Sequence, residues 1–317
     1  MFGFPRTLQA VAALVALGGF VSPAAAQDET AVFRSDSRLV VLHATVLDKD
    51  GHLATNLPQS AFRVFENGVE QRVTIFKRED APVSIGLVID DSGSMVKKRE
   101  RVAAAALALV QASNPDDEVF ILHFNEKPYL DSDFTSDVKR LQRGLDMAES
   151  HGTTALFDAM RLAIEHINRK ARTDKKVLLV VSDGEDNTSA VGCDFVVKNA
   201  QQSGVLIYAV GLLSDVDDAE TARAKRDLDD MTVSTGGQAY YLKDAASASQ
   251  TAREIAHDIR SQYTLAYSPS HQELDGAYRG IRVLAAGPNE PIVRTRGGYW
   301  ARATAPAKNA GLDAPAR

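Results

Sequence analysis

Residues 83–95 read Val-Ser-Ile-Gly-Leu-Val-Ile-Asp-Asp-Ser-Gly-Ser-Met, an apolar run that ends abruptly in carboxylates and hydroxyls. Continuous apolar runs of this kind are typical of parallel strands that are covered on both faces. Asp90, Ser92 and Ser94 alternate along the chain, so an extended loop allows their oxygens to point toward one place. Oxygen ligands suit a hard cation such as Mg²⁺ better than a soft metal. The stretch therefore predicts a buried strand that ends in a cation-binding loop.

The sequence around this stretch has the pattern of a doubly wound α/β domain. Further strands are predicted over residues 119–124, 177–181, 205–212 and 238–242. Helical stretches lie between and after them, at residues 96–112, 155–170, 194–203, 217–232 and 245–260. This alternation predicts a mostly parallel, Rossmann-like sheet with helices on both faces, spanning residues 82–260.

Two β-rich segments flank this domain, at residues 27–81 and 261–303. In the first, strands are predicted from residue 40, at 62–65 and at 73–76, with a hairpin turn at Glu66-Asn67-Gly68. In the second, they are predicted at residues 263–267, 278–285 and 291–295. Neither segment has enough strands for a stable sandwich. We therefore expect the two to pack into one small β-sandwich, with the α/β domain inserted between them.

The two ends of the sequence are expected to lie outside the fold. Residues 1–26 have the features of a signal peptide: Arg6, an apolar run over residues 10–21, and Ala24-Ala25-Ala26 as a cleavage signal after Ala26. No later segment approaches the roughly 18 apolar residues that a membrane span needs. We therefore expect a periplasmic or secreted protein without a transmembrane anchor after cleavage. Residues 304–317 are rich in Ala and Pro, and they are expected to be disordered.

Composition excludes some classes of partner and bond. The formal net charge is −6 and no long Lys/Arg run occurs, which argues against nucleic acid as a partner. Cys193 is the one cysteine of the sequence, so no intramolecular disulfide is expected. We predict that Cys193 is a small buried side chain, with a reactive or intermolecular thiol as the alternative.

Three segments are expected to converge on one edge of the sheet. Asp90 and Asp183 each end a predicted strand, and ligands of parallel sheets bind at the carboxyl ends of the strands. Between them in sequence, Thr153 and Thr154 place hydroxyls at a predicted helix start, where Thr is a favoured cap. Taken singly, these residues also fit helix caps and turns. Together they predict an oxygen cage for a dication, whereas the nearby acidic residues are expected to be solvated or capping, namely Asp91, Asp158 and Asp186.

The order of these residues resembles the von Willebrand factor type A (VWFA) domain and its metal-ion-dependent adhesion site, D-x-S-x-S, then T, then D. Asp90, Ser92 and Ser94 match the first part, Thr154 matches the threonine with Thr153 as the alternative, and Asp183 matches the last aspartate. The β-rich flanks, with Arg296-Gly297-Gly298-Tyr299 near the end, resemble a bacterial exported family known as VWFA-related, Acidobacterial type. The resemblance implies a Mg²⁺ site, with Mn²⁺ or Ca²⁺ as alternatives. It also implies that the serines, and sometimes the threonine, bind the ion directly while the aspartates act largely through water.

An ion with few direct carboxylate ligands keeps excess positive charge and attracts an acidic group from a partner. We therefore expect a non-enzymatic binding or adhesion protein, whose partner is a protein or peptide that presents Asp or Glu. An envelope assembly or scaffold module with a structural metal is one alternative. A subtilisin-like hydrolase is another, because Asp91-Ser92-Gly93 and His151-Gly152-Thr153 resemble its aspartate and histidine segments. No segment with the nucleophilic serine follows, which argues against the hydrolase.

Overall fold

The computed structural model describes residues 39–78, 80–146, 150–213, 219–242, 245–287 and 290–302. The predicted signal peptide at residues 1–26 and the predicted disordered tail at 304–317 lie outside this part. No helix within the described ranges has both the length and the apolar character needed to cross a membrane.

The described residues form strands and helices in the following chain order: β1 (Val40–Leu47), β2 (Phe62–Glu66), β3 (Val69–Gln71), β4 (Ile75–Lys77), β5 (Val83–Asp90), α1 (Arg99–Ala112), β6 (Glu118–Phe124), β7 (Pro128–Thr135), α2 (Val138–Asp146), α3 (Leu156–Lys170), β8 (Lys175–Ser182), α4 (Cys193–Ser203), β9 (Val205–Gly211), α5 (Ala219–Thr235), β10 (Ala239–Tyr241), α6 (Ala245–Arg260), β11 (Tyr263–Tyr267), β12 (Tyr278–Ala285), β13 (Ile292–Arg294) and β14 (Gly298–Trp300). Short 3₁₀ segments lie at Gln59–Ala61 and Gly93–Lys98.

The central sheet confirms the predicted doubly wound α/β fold. Its strand order is β10-β9-β8-β5-β6-β7, and every neighbouring pair is parallel except β6 and β7. One core packs α1, α2 and α6 against one face, and another packs α3, α4 and α5 against the other. Because both faces are covered, all eight residues of β5 are buried, which is the physical reason for its unbroken apolar run.

Two elements of this domain are absent from the sequence-based expectation. Strand β7 is the antiparallel edge of the sheet, and α2 follows it. The sequence of β7 contains Pro128, Asp131 and Asp133, and most of the strand is not buried. Edge strands accept proline and acidic residues because one side makes no strand pairing, so an apolar-run criterion misses them.

The two β-rich flanks combine, as predicted. They form two antiparallel sheets with strand orders β13-β1-β11-β4 and β14-β12-β2-β3, so each sheet takes strands from both flanks. Both sheets contribute to one hydrophobic core, which includes Leu42, Val64, Leu265, Tyr267 and Val283. The domain boundaries themselves stay predictions.

The hairpin in the first flank differs from the expectation. Asn67 and Gly68 have φ of 48° and 83°, the left-handed values that a tight two-residue hairpin turn needs. The strand that follows the turn is β3, however, and the expected strand at residues 73–76 is present only in part, as β4 (Ile75–Lys77). Strand β4 begins at Ile75 and pairs with β11 in the other sheet. Strand β3 was not predicted from the sequence because it is short and two of its residues, Val69 and Glu70, are exposed.

A buried polar cluster joins the β-sandwich to the α/β domain. The carboxylate of Asp258, near the end of α6, accepts hydrogen bonds from Thr45 Oγ1 of β1 at 2.8 Å and from Tyr208 OH of β9 at 3.1 Å. Arg294 of β13 forms an ion pair with the same carboxylate. Gln262 Nε2 donates to both Thr45 Oγ1 and Tyr208 OH. One carboxylate thus satisfies donors from both parts of the fold.

Replacing this carboxylate should destabilise the whole described fold. In Asp258→Ala, buried donors from Thr45 and Tyr208 and the charge of Arg294 lose their partner, so we expect a loss of about 3–5 kcal/mol in the free energy of unfolding. Urea denaturation followed by circular dichroism measures it. The matched control is Glu254→Ala, an exposed carboxylate on the same helix, for which we expect a change within about 0.5 kcal/mol. Equal stability of the two variants would contradict this role for Asp258.

Candidate metal centre

The loop after β5 is held against the loop that precedes α3. The backbone N–H of His151 donates to the carbonyl of Asp91 at 2.8 Å, and that of Gly93 donates to the carbonyl of Gly152 at 3.1 Å. Gly152 has a φ of 75°, a left-handed conformation that glycine adopts without strain. These backbone hydrogen bonds therefore bring Ser92 and Ser94 beside residues 151–155, the threonine loop that precedes α3.

The threonine loop is also bound to the loop after β8. Thr154 N donates to Asn187 Oδ1 at 2.9 Å, and its carbonyl accepts from the N–H groups of Asn187 and Thr188 at 3.1 and 3.2 Å. Gly184, in the same loop, has a φ of 80°. The three segments that the sequence predicted to converge are therefore linked by hydrogen bonds.

Asp90 is the most enclosed carboxylate of this edge, with 1% of its surface exposed. Its Oδ1 accepts from the N–H of Ser92 at 2.9 Å, and its Oδ2 accepts from Ser182 Oγ at 2.6 Å. Burial and the nearby charge of Asp183 raise the pKa of Asp90 to about 7. The two aspartates lie at the same edge of the sheet because β5 and β8 are adjacent parallel strands.

Asp183 is 4% exposed, and its two oxygens have different surroundings. Oδ2 lies 3.0 Å from the ammonium of Lys98. Oδ1 is buried and, among the described residues, has no hydrogen-bond partner. A buried carboxylate oxygen without a partner is unfavourable, and it is the kind of atom that a cation would satisfy.

The hydroxyls of Ser92 and Ser94 lie 3.1 Å apart. Ser92 occupies the N-cap position of the 3₁₀ segment Gly93–Lys98, yet its side chain makes no capping hydrogen bond. The helix-cap explanation for this serine therefore lacks the bond that defines it.

Thr154 is buried, with 3% of its surface exposed, but it does not start α3. The N-cap of α3 is Ala155, without a side-chain capping bond, so the expectation that Thr154 occupies the cap of this helix is wrong. Its backbone is instead engaged by Asn187. Thr153 is exposed, and its hydroxyl lies 3.4 Å from that of Thr188. Of the two candidate threonines, Thr154 is the one enclosed by the three loops.

These side chains present only carboxylate and hydroxyl oxygens. Such a donor set fits Mg²⁺ or Mn²⁺ and offers no nitrogen or sulfur for a softer ion. The unpartnered Oδ1 of Asp183 agrees with that fit. The assignment of the metal ligands stays a prediction, for Asp90, Ser92, Ser94, Thr154 and Asp183.

Asp91 belongs to a second cluster, which the sequence did not indicate. It is 3% exposed, so the expectation that it is solvated or a cap is wrong. Its Oδ2 lies 2.7 Å from Nδ1 of His123 and accepts from Tyr129 OH at 3.1 Å. The rings of His123 and Tyr129 stack with centroids 5.6 Å apart. The signal was hidden because Tyr129 lies on β7, the strand that the sequence did not predict.

This cluster bears on the hydrolase alternative. The carboxylate of Asp91 contacts His123, whereas the exposed His151 has its Nδ1 3.4 Å from the side-chain nitrogen of Asn125. Catalysis of the subtilisin type requires a hydrogen-bonded aspartate, histidine and serine. Among the described residues, the side chains of Asp91 and His151 do not form the hydrogen-bonded pair that such an enzyme needs.

Comparison with known proteins finds a family match for part of the chain. Residues 85–185 match the family model of the von Willebrand factor type A domain. Calcium-activated chloride channel regulator 1 of Macaca mulatta is 32% identical over 166 residues, which cover 50% of this chain and 17% of that protein. The chain thus spans about a sixth of the length of this relative.

Two solved structures have similar folds. Proximal thread matrix protein 1 from the mussel byssus, with a zinc-occupied MIDAS motif (metal-ion-dependent adhesion site), is 16% identical and has a TM-score of 0.51. The alignment covers 62% of this chain and 50% of that one. A von Willebrand factor type A protein from Catenulispora acidiphila is 12% identical with a TM-score of 0.48, covering 85% of this chain and 75% of its own. The match over residues 85–185 and the observed sheet topology show that the chain contains a von Willebrand factor type A domain.

Proposed function

We propose that this protein is an exported, non-enzymatic binding protein, and that its von Willebrand factor type A domain binds a partner through a divalent metal ion. Mg²⁺ is the expected ion, with Mn²⁺ and Ca²⁺ as alternatives. The observation that carries the proposal is the buried Oδ1 of Asp183, which has no hydrogen-bond partner among the described residues and follows β8, the strand next to the one that Ser92 and Ser94 follow. The resemblance of the flanks to exported bacterial proteins supports the location.

Most direct ligands of the proposed site are neutral, so they would leave positive charge on the ion. Ser92, Ser94 and Thr154 supply neutral hydroxyls, while Asp90 is already engaged by Ser182 and by the N–H of Ser92. A bound ion supplies a positive charge that attracts a carboxylate. We therefore propose a protein or peptide partner that presents Asp or Glu at this edge of the sheet.

The comparisons support the choice of a divalent ion. The mussel protein of similar fold has zinc in its adhesion-site motif. Hard oxygen donors in the present chain favour Mg²⁺ or Mn²⁺ over zinc, which prefers nitrogen and sulfur. The identity of the ion is therefore proposed from the donor atoms of this chain.

Titration of MgCl₂ or MnCl₂ into chelator-treated protein by calorimetry tests the metal site. We expect one site per chain, and a Kd that rises by roughly 10–100-fold in Asp183→Asn, which removes a negative charge, and in Ser92→Ala, which removes a hydroxyl ligand. The matched control is Glu126→Gln, an exposed carboxylate that follows β6 at the same sheet edge, and it should leave the Kd within about twofold. Absence of binding to the wild-type chain, or equal affinities for all four proteins, would refute the metal site.

Selection of peptides from a random phage-displayed library tests the acidic partner. We expect phages captured with Mg²⁺ and eluted by EDTA to be enriched in Asp or Glu, because a carboxylate completes the coordination of the ion. Immobilised Ser92→Ala protein, which lacks one proposed ligand and whose fold is checked by circular dichroism, should give no enrichment of acidic peptides on elution with EDTA. Metal binding without any acidic enrichment would favour the scaffold alternative, in which the metal is structural.

A further inference from the structure

Lys98 places a cation of the chain itself at the proposed metal centre. It is the last residue of the 3₁₀ segment Gly93–Lys98, which follows directly from Ser92 and contains Ser94. Its Nζ lies 3.0 Å from Oδ2 of Asp183. The two side chains are 20% and 4% exposed, so this pair is largely withdrawn from solvent.

The position of this pair makes it more than a surface ion pair. Exposed pairs are weak because water and salt screen them, but screening falls when both groups are enclosed. Asp183 is near a second buried carboxylate, Asp90, and two such charges need compensation. Among the described ion pairs, the one at these two aspartates is that of Lys98 with Asp183. Lys97, its neighbour on the same segment, is exposed.

We propose that Lys98 is the resident counter-ion of the site and that it weakens metal binding. A divalent ion bound at Asp183 must either share this carboxylate with the Lys98 ammonium or displace it. In both cases the ion is held less tightly than the same oxygens would hold it without Lys98. Sharing also leaves more positive charge on the ion, which strengthens its attraction for a partner's carboxylate. This inference rests on the proposed function, because it requires the metal to bind at Asp183.

Calorimetric titration of MnCl₂ into the chelator-treated full chain tests the inference with four proteins: wild type, Lys98→Met, Lys98→Arg and Lys97→Met. Lys98→Met removes the charge and retains much of the aliphatic stem, so we expect Mn²⁺ to bind about tenfold or more tightly than to wild type. Lys98→Arg retains the positive charge, and Lys97→Met removes an exposed charge of the same segment. Both should stay within about threefold of wild type.

Thermal unfolding without added metal gives an independent measurement. Lys98→Met leaves Asp90 and Asp183 without their counter-ion, so its Tm should fall below that of Lys97→Met. Added Mn²⁺ should raise the Tm of Lys98→Met more than that of wild type, because the tighter-binding protein gains more from the same ion concentration.

The outcomes separate this inference from the proposed function. If wild type binds Mn²⁺ and Lys98→Met binds it equally or more weakly, the counter-ion role is wrong while the metal site stands. If only Lys98→Met binds Mn²⁺, the effect of the Lys98 charge is supported, while metal binding by the wild-type chain, and with it the proposed function, is refuted. If neither protein binds, both the metal site and the role of Lys98 are refuted.

Discussion

Two carboxylates, Asp90 and Asp183, lie together at the carboxyl edge of the central sheet because β5 and β8 are adjacent parallel strands. Both are almost fully buried, and burial together with the charge of Asp183 raises the pKa of Asp90. The surrounding contacts can be understood as responses to this constraint. Ser182 and the N–H of Ser92 stabilise one carboxylate, and Lys98 pairs with the other. The negative charge of the two carboxylates that Lys98 does not neutralise would favour a cation at this edge of the sheet.

The fold keeps this arrangement in place by connecting parts that are distant in sequence. Backbone hydrogen bonds link the loops after β5 and β8 through the threonine loop, so the hydroxyls and carboxylates do not depend on one flexible segment for their positions. On another side of the domain, Asp258 links α6 to the β-sandwich through Thr45 and Arg294. The sandwich thus stabilises the domain that carries the site, and the two flanks contribute as one unit.

Much of this could be predicted from the sequence, for identifiable reasons. The strands β5 and β8 are buried on both faces, so their apolar runs were unmistakable, and Asp90 and Asp183 directly end them. The predictions failed for elements and contacts that depend on tertiary neighbours and not on the local sequence. Strand β7 is an acidic edge strand, so the pairing of Asp91 with His123 and Tyr129 could not be anticipated. The ion pair of Lys98 with Asp183 was equally hidden, because lysine side chains are mostly exposed.

The crystal structure of the protein soaked in MnCl₂ tests the central claim most directly, because anomalous scattering locates manganese independently of any assumed ligand. The account predicts an anomalous peak within coordinating distance of the hydroxyls of Ser92 and Ser94, in the cage that Thr154, Asp90 and Asp183 complete. A crystal that shows no peak at this edge of the sheet, or manganese bound only elsewhere on the protein, would contradict it.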